Sequence, residues 1–302
     1  MADANVSRSD RVARIGLGAL WLLGRLPLPL LALAGVFVGA LLSLFWRRGR
    51  KASATNLRLC FPDWSECARR RMRRAHLRAM GVAYCTIGVT MWASSARLKR
   101  LTRFRGREHL DTALARKQNV ILLAPHFLGI DVGGLVVSHE RPVVSMYKRA
   151  KHAVFDTALR RSRERFGAIM IERDSELRAL IRAIRGGRVF YYLPDQDPGE
   201  SAFVFAPFFG IPTATVTALG RIAQMTDAVV IPASTRFLSF GRGYEVTFDA
   251  PLANFPSGHA LQDAASMNVA VEHAVCHDPT QYMWTYKRFK TRPRGESDPY
   301  AS

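Results

Sequence analysis

The sequence predicts an α/β protein, a mostly parallel sheet flanked by helices, carried behind an N-terminal transmembrane helix. Three observations lead there. Short, wholly apolar runs such as Asn119–Ala124 recur between helix-like stretches after residue 105, and unbroken hydrophobicity marks strands covered on both faces. The 21 residues from Leu26 to Trp46 pass without a charge. Charge is also lopsided: residues 1–110 hold 21 Lys and Arg against 5 Asp and Glu, while residues 111–302 hold 23 against 19. Most of the net +20 therefore sits in the N-terminal third. Such a field calls for an anionic partner there, either a membrane surface or nucleic acid.

Composition removes other classes. A chain of 302 residues that is 48% hydrophobic is not a disordered polycation. Four scattered cysteines (Cys60, Cys67, Cys85, Cys276) without a CxxC pair form neither a disulfide scaffold nor a zinc knuckle, and they suit a reducing compartment.

The elements follow in order. In residues 1–24, Arg8, Arg11 and Arg14, with Arg25 beyond, flank Ile15, Leu17, Leu20, Trp21 and Leu23. That pattern fits an amphipathic segment on the bilayer or a frayed terminus. Leu26–Trp46 as a helix spans about 31 Å, close to the hydrocarbon thickness. Pro27 and Pro29 stand in or before its first turn, where proline is tolerated. Arg47, Arg48, Arg50 and Lys51 follow and place its C-terminal side in the cytoplasm. A signal peptide would have a shorter apolar core and a small-residue cleavage site. A core helix would rarely run so far with only Ser43 polar. Residues 1–51 thus read as the membrane segment and 52–302 as a cytoplasmic α/β domain, with a basic helical region at about 63–107.

Asp63 and Glu66 have capping-box spacing and open the next helix. Leu77, Met80, Tyr84, Ile87 and Met91 repeat at helical spacing as one apolar stripe. Arg69, Arg70, Arg71, Arg73, Arg74 and Arg78 crowd six cations into ten residues without an acid. Beside a membrane helix, lipid phosphate is their natural counter-charge. Further on, buried strands are expected at 119–124, 142–146, 168–171, 188–193 and 228–233. Helices are expected near 131–139, 153–166, 175–185 and 214–225, the third capped by Asp174 and closed by Gly186 and Gly187. Gly241–Gly243 turns a late hairpin into Tyr244–Phe248, and a last helix covers about 257–276.

Ligands of parallel sheets bind beyond the carboxyl ends of the strands, so those loops are where chemistry is expected. The first reads Pro125-His126-Phe127-Leu128-Gly129-Ile130-Asp131. A turn there could bring Asp131 back to the His126 imidazole as base and orienting acid, and a hydrogen-bonded loop histidine is an equal reading. His273 and Asp278 share the spacing, but they sit in a helical run where i and i+5 face apart. The second loop, Pro194-Asp195-Gln196-Asp197-Pro198-Gly199, offers two carboxylates for a metal or a cation, or ordinary turn chemistry. No His or Glu cluster supports a metal. Pro207–Thr213 is apolar and rigid, as an acyl-chain wall or as buried core. No phosphate-binding glycine loop, GxSxG or redox motif is present.

The residues resemble the bacterial lipid A biosynthesis acyltransferases, the late lauroyl and myristoyl transferases of the wider glycerolipid acyltransferase superfamily. The resemblance runs through PHFLGID, MYKRAKHAVFD, RSRERFG, YYLPDQDPGESAFVFAPFFGIPTAT, VVIPAS and QYMWTYKRFKTRP, and is most specific from Tyr191 to Thr215. It implies an inner-membrane, single-pass enzyme that takes an acyl chain from acyl carrier protein. The chain would pass to the hydroxyl of a 3-hydroxyacyl group on a lipid A precursor, without metal or cofactor. The implied base is His126 and its acid Asp131, with Arg163, Asp195 and Asp197 matching the family's substrate-binding blocks. Relatives carry Tyr-Arg-Pro where this chain has Tyr147-Lys148-Arg149, so either Lys148 or Arg149 meets substrate. Backbone amides near Phe127–Gly129 are the expected oxyanion donors. The basic surface suits an acidic carrier protein, a phosphorylated glycolipid and anionic membrane lipid, with no role for nucleic acid. The alternatives are an acyltransferase for another lipid, such as a lysophospholipid or ornithine lipid, and a non-enzymatic membrane or nucleic-acid binding protein. The glycerolipid enzymes usually carry an FPEG-type block where this chain has Pro194–Asp197.

Overall fold

The computed structural model describes residues 8–172, 177–199 and 201–301, so the expected cap at Asp174 lies outside the described residues. The chain opens with six helices: α1 (Arg8–Leu23), α2 (Leu28–Phe45), α3 (Arg47–Cys60), α4 (Glu66–Cys85), α5 (Ile87–Trp92) and α6 (Ser95–Leu101). The uncharged run becomes α2, which Pro27 and Pro29 start as the sequence expects. The basic cluster after it is itself helical, and α3 runs unbroken across residue 51.

Helix α2 packs antiparallel on α4 with the two backbones nearly touching. A Cβ on Gly35 would lie 2.4 Å from Val82 Cα, and one on Gly39 2.3 Å from Arg78 Cα. Small residues permit this approach as they do between membrane helices. Two expectations for α4 change. Its cap is Ser65, whose hydroxyl accepts from Ala68 N at 3.2 Å, rather than Asp63. The apolar stripe is shared between α4 and α5, because the chain turns at Thr86; Leu77, Met80 and Met91 are buried and Tyr84 is exposed.

His76 of α4 is buried against the domain and donates from Nδ1 to Thr280 O at 3.0 Å. Burial pushes its pKa down from 6.5 to about 4. Below pH 6.5 the unfolded chain binds a proton that the folded chain refuses, so stability falls as pH drops through that window. At pH 5 the loss is about 2 kcal/mol, taking 1.36 kcal/mol per unit. Thermal unfolding of the solubilised protein is therefore expected to shift down between pH 7 and pH 5, and less so in His76→Gln. An unchanged slope in that variant would refute the assignment.

The remaining elements are β1 (Thr102–Arg105), α7 (Arg107–Ala115), β2 (Asn119–Leu123), α8 (Ile130–Glu140), β3 (Val143–Tyr147), α9 (Ala153–Glu164), β4 (Ile169–Glu172), α10 (Leu177–Arg185) and β5 (Val189–Tyr192). After them come β6 (Phe203–Phe208), β7 (Ile211–Val216), α11 (Ala218–Thr226), β8 (Ala228–Phe237), β9 (Tyr244–Phe248) and α12 (Ala260–His277). Seven strands form one sheet in the order β1-β9-β8-β2-β5-β3-β4. Strands β8, β2, β5, β3 and β4 are parallel, and the β8–β9 hairpin reverses β9 and, with it, β1. The mostly parallel α/β class holds. Residues 121–123 are fully buried, as a strand with helices on both faces requires.

The helix expected near 214–225 begins only at Ala218, because residues 211–216 pair with β6 as a separate hairpin. Phe208 of that hairpin is buried with Phe127, Tyr282, Trp284 and Phe289 in a third core cluster. The phenylalanines of Pro207–Thr213 are therefore core, not an acyl-chain wall, since the hairpin turns them toward the C-terminal segment.

Candidate active site

Strands β2 and β5 are adjacent and parallel, with Leu123 paired to Tyr192. Counting three residues beyond each pairing partner puts His126 beside Asp195. The contact is double: His126 Nδ1 donates to Asp195 Oδ1 at 2.6 Å, and His126 N to Asp195 Oδ2 at 2.8 Å. The Asp195 side chain is 1% exposed and that of His126 14%. Burial alone would raise the Asp195 pKa. The His126 charge, the two hydrogen bonds from His126 and the Arg288 charge outweigh it, holding the carboxyl below its ordinary value. With Nδ1–H given to the carboxylate, the Nε2 lone pair faces outward. The Gln196 amide meets it at 3.1 Å, and the Tyr286 ring stands edge-on at 5.4 Å between centroids.

Asp131 does not turn back to the imidazole. It lies in the first turn of α8 and pairs with Arg163 of α9, whose Nε and Nη2 reach Asp131 Oδ1 at 2.9 and 2.8 Å. The orienting carboxylate of His126 comes instead from a loop 69 residues away.

Asp197 accepts from Thr291 N at 2.8 Å and Thr291 Oγ1 at 3.1 Å, bracing the C-terminal segment while also lining the cleft. Lys148 lines the cleft, whereas Arg149 points to Glu172 at 2.5 Å. Of the two expected oxyanion amides with defined partners, Phe127 N donates to Pro125 O and Leu128 N to Gln281 O, so neither is free. Arg288, which sequence reasoning quoted without a role, is buried beneath the site. It donates to Gln196 O at 3.0 Å and Ala214 O at 2.8 Å, and so fixes the Asp195 loop. Tyr286 and Gln196 were missed as well, since nothing in their spacing marks them.

His126 opens on a cleft of about 360 Å³, within the range of small-ligand sites. Leu135, Val143, Met170 and Val216 form apolar walls, and Lys148, Arg163, Gln196 and Asp197 add polar groups to the same lining as His126. An imidazole with a fixed tautomer, a lone pair at a partly apolar cleft and cations in its lining suit hydroxyl activation beside a long apolar group. The decoy pair differs: His273 is 72% exposed and lies 3.7 Å from Asp249, while Asp278 accepts from Thr280 and Gln281.

A family model described as bacterial lipid A biosynthesis acyltransferase matches residues 7–291. The lipid A biosynthesis lauroyltransferase of Escherichia coli (strain K12) is 33% identical, covering 95% of this chain and 94% of that relative. The palmitoleoyltransferase of the same strain is 30% identical over 94% of this chain and 93% of its own. Its myristoyltransferase is 29% identical over 90% and 83%.

Proposed function

The chain belongs to the bacterial lipid A biosynthesis acyltransferases, and from this membership and the His126–Asp195 pair we propose an acyl carrier protein-dependent O-acyltransferase. It moves an acyl chain from the carrier's thioester to the hydroxyl of a 3-hydroxyacyl group on a lipid A precursor, at the cytoplasmic face of the inner membrane. The observation that carries the reading is the buried Asp195 carboxylate gripping both Nδ1 and the backbone N–H of His126.

A secondary hydroxyl is a poor nucleophile until its proton leaves as it attacks. The hydroxyl takes the place of the Gln196 amide at Nε2 and gives its proton to the imidazole. The C–O bond forms, and the thioester carbonyl becomes an oxyanion. Asp195 stabilises the imidazolium without taking its proton. When the oxyanion collapses the C–S bond breaks, and the thiolate leaves with the proton from Nε2. Positive charge from Lys148 and Arg163 in the same cleft favours the oxyanion and the phosphorylated acceptor. Asp131 holds Arg163 in place for that role. Lipid A from a deletion strain is expected to lack one secondary acyl chain by mass spectrometry, restored by the wild-type gene. An unchanged lipid A profile with an altered phospholipid or ornithine lipid would favour the other acceptor.

A further inference from the structure

Helix α2 is long and apolar enough to cross a bilayer, yet both of its ends rest on one body. At the N-terminal end Leu28 and Leu31 are buried among Val89, Leu98 and Tyr244. The turn Ser239–Gly241 packs against Pro29, and Arg97 of α6 donates to Leu26 O at 2.5 Å. Toward the C-terminal end Gly39 touches α4, and Arg50 Nη1 donates to Ser43 O at 3.1 Å.

That turn joins β8 to β9, and Arg236, paired with Glu245 at 2.9 Å, precedes it by three residues. An 18-residue helix is about 27 Å long. If α2 crossed, the turn, Arg97 and the Arg236–Glu245 pair would cross with its start, dragging the tips of two sheet strands through hydrocarbon. Charges at that depth are strongly disfavoured.

We propose that α2 lies in the plane of the membrane, its outer face seated in the headgroup–acyl boundary of one anionic leaflet, so that both of its ends stay on the cytoplasmic side. Leu30, Leu33, Phe37, Leu41 and Leu44 fall at spacings of 3, 4, 4 and 3 along α2, and all are 41–72% exposed. They form one stripe turned away from the domain, and an in-plane helix submerges such a face by about 5–10 Å. Phe240, at 86% exposure on the turn beside Pro29, extends that surface. Exposed Arg11, Arg14, Arg47 and Arg48 flank it on both ends, the complement of an anionic headgroup layer. The β8–β9 turn and His126 share the carboxyl edge of the sheet, so the cleft stands at the leaflet and the acceptor lipid need not leave it. The inference rests on the cytoplasmic placement of the catalytic domain given above.

The test uses the full chain with Cys67 and Cys85 changed to serine and Cys60 kept, since it is buried away from a maleimide. One version keeps native Cys276, which is exposed; the other has Cys276→Ser and a single cysteine in a short hydrophilic extension ahead of Met1. A membrane-impermeant maleimide is applied to intact spheroplasts and to inverted inner-membrane vesicles, and acyl transfer is measured for each version. Both cysteines are expected to label in the vesicles and to be protected in spheroplasts. Labelling of the extension in intact spheroplasts with Cys276 protected would overturn the proposal and make α2 a spanning helix. Labelling of Cys276 there would instead overturn the cytoplasmic placement, and neither result bears on whether acyl transfer occurs.

Discussion

His126→Ala is expected to lose acyl transfer by about 10²–10⁴-fold while the protein stays folded and membrane-bound. The side chain is 14% exposed and lines the cleft rather than the core, so little core volume is lost. The backbone N–H of residue 126 still donates to Asp195, so the carboxylate is not left bare. His126→Asn restores a donor for the other carboxylate oxygen and is the second variant if the alanine protein unfolds. It too should be inactive, because an amide is no base. His273→Ala is the control with the same sequence spacing to an acid, and its exposed position predicts near wild-type rates. Equal losses at both histidines in folded proteins would mean that the base lies elsewhere.

Asp195→Asn is expected to cost as much, on the order of 10⁴-fold, by analogy with the orienting carboxylate of a catalytic triad. Asparagine matches aspartate in size, and its oxygen still accepts from His126 N. Its NH₂ then faces Nδ1 and can be satisfied only if the proton moves to Nε2. The lone pair that must take the hydroxyl proton is lost, although the ring has not moved. Asp131→Asn acts differently, by releasing Arg163 from a half-exposed pair. The expected loss is smaller and falls partly on KM. It leaves unchanged the pH dependence of kcat, which reports the base. The reverse order, with Asp131→Asn abolishing turnover and Asp195→Asn nearly normal, would mean that the imidazole changes partner when substrate binds.

The core strands were legible because parallel strands buried on both faces read as unbroken apolar runs; Asn119–Leu123 is such a run. Strand β1, Thr102–Arg105, was not, since an edge strand with alternating exposure and two arginines in four residues reads as part of the basic region. The β6–β7 hairpin was hidden by Pro207 and Pro212, which sit opposite each other next to its turn. In the site, the sequence marks both loops but not their union. The Asp195 partner of His126 follows from the β2–β5 register, which is a property of the sheet rather than of spacing. The nearer Asp131 matches a local expectation, yet the helix that starts at Ile130 aims it at Arg163. Arg288 carried no signal at all, because a buried arginine under a loop looks in sequence like one more cation of a basic tail.

The most direct test is product analysis with the purified, detergent-solubilised protein, acyl carrier protein charged with a single fatty acid, and a lipid A precursor bearing free 3-hydroxyacyl chains. Mass spectrometry before and after mild alkali identifies what was made. A gain of one acyl residue that mild alkali removes, formed by wild-type protein and absent with His126→Ala, is the predicted result. No mass gain with the wild-type protein, an alkali-stable amide, or the same ester from His126→Ala would contradict the account.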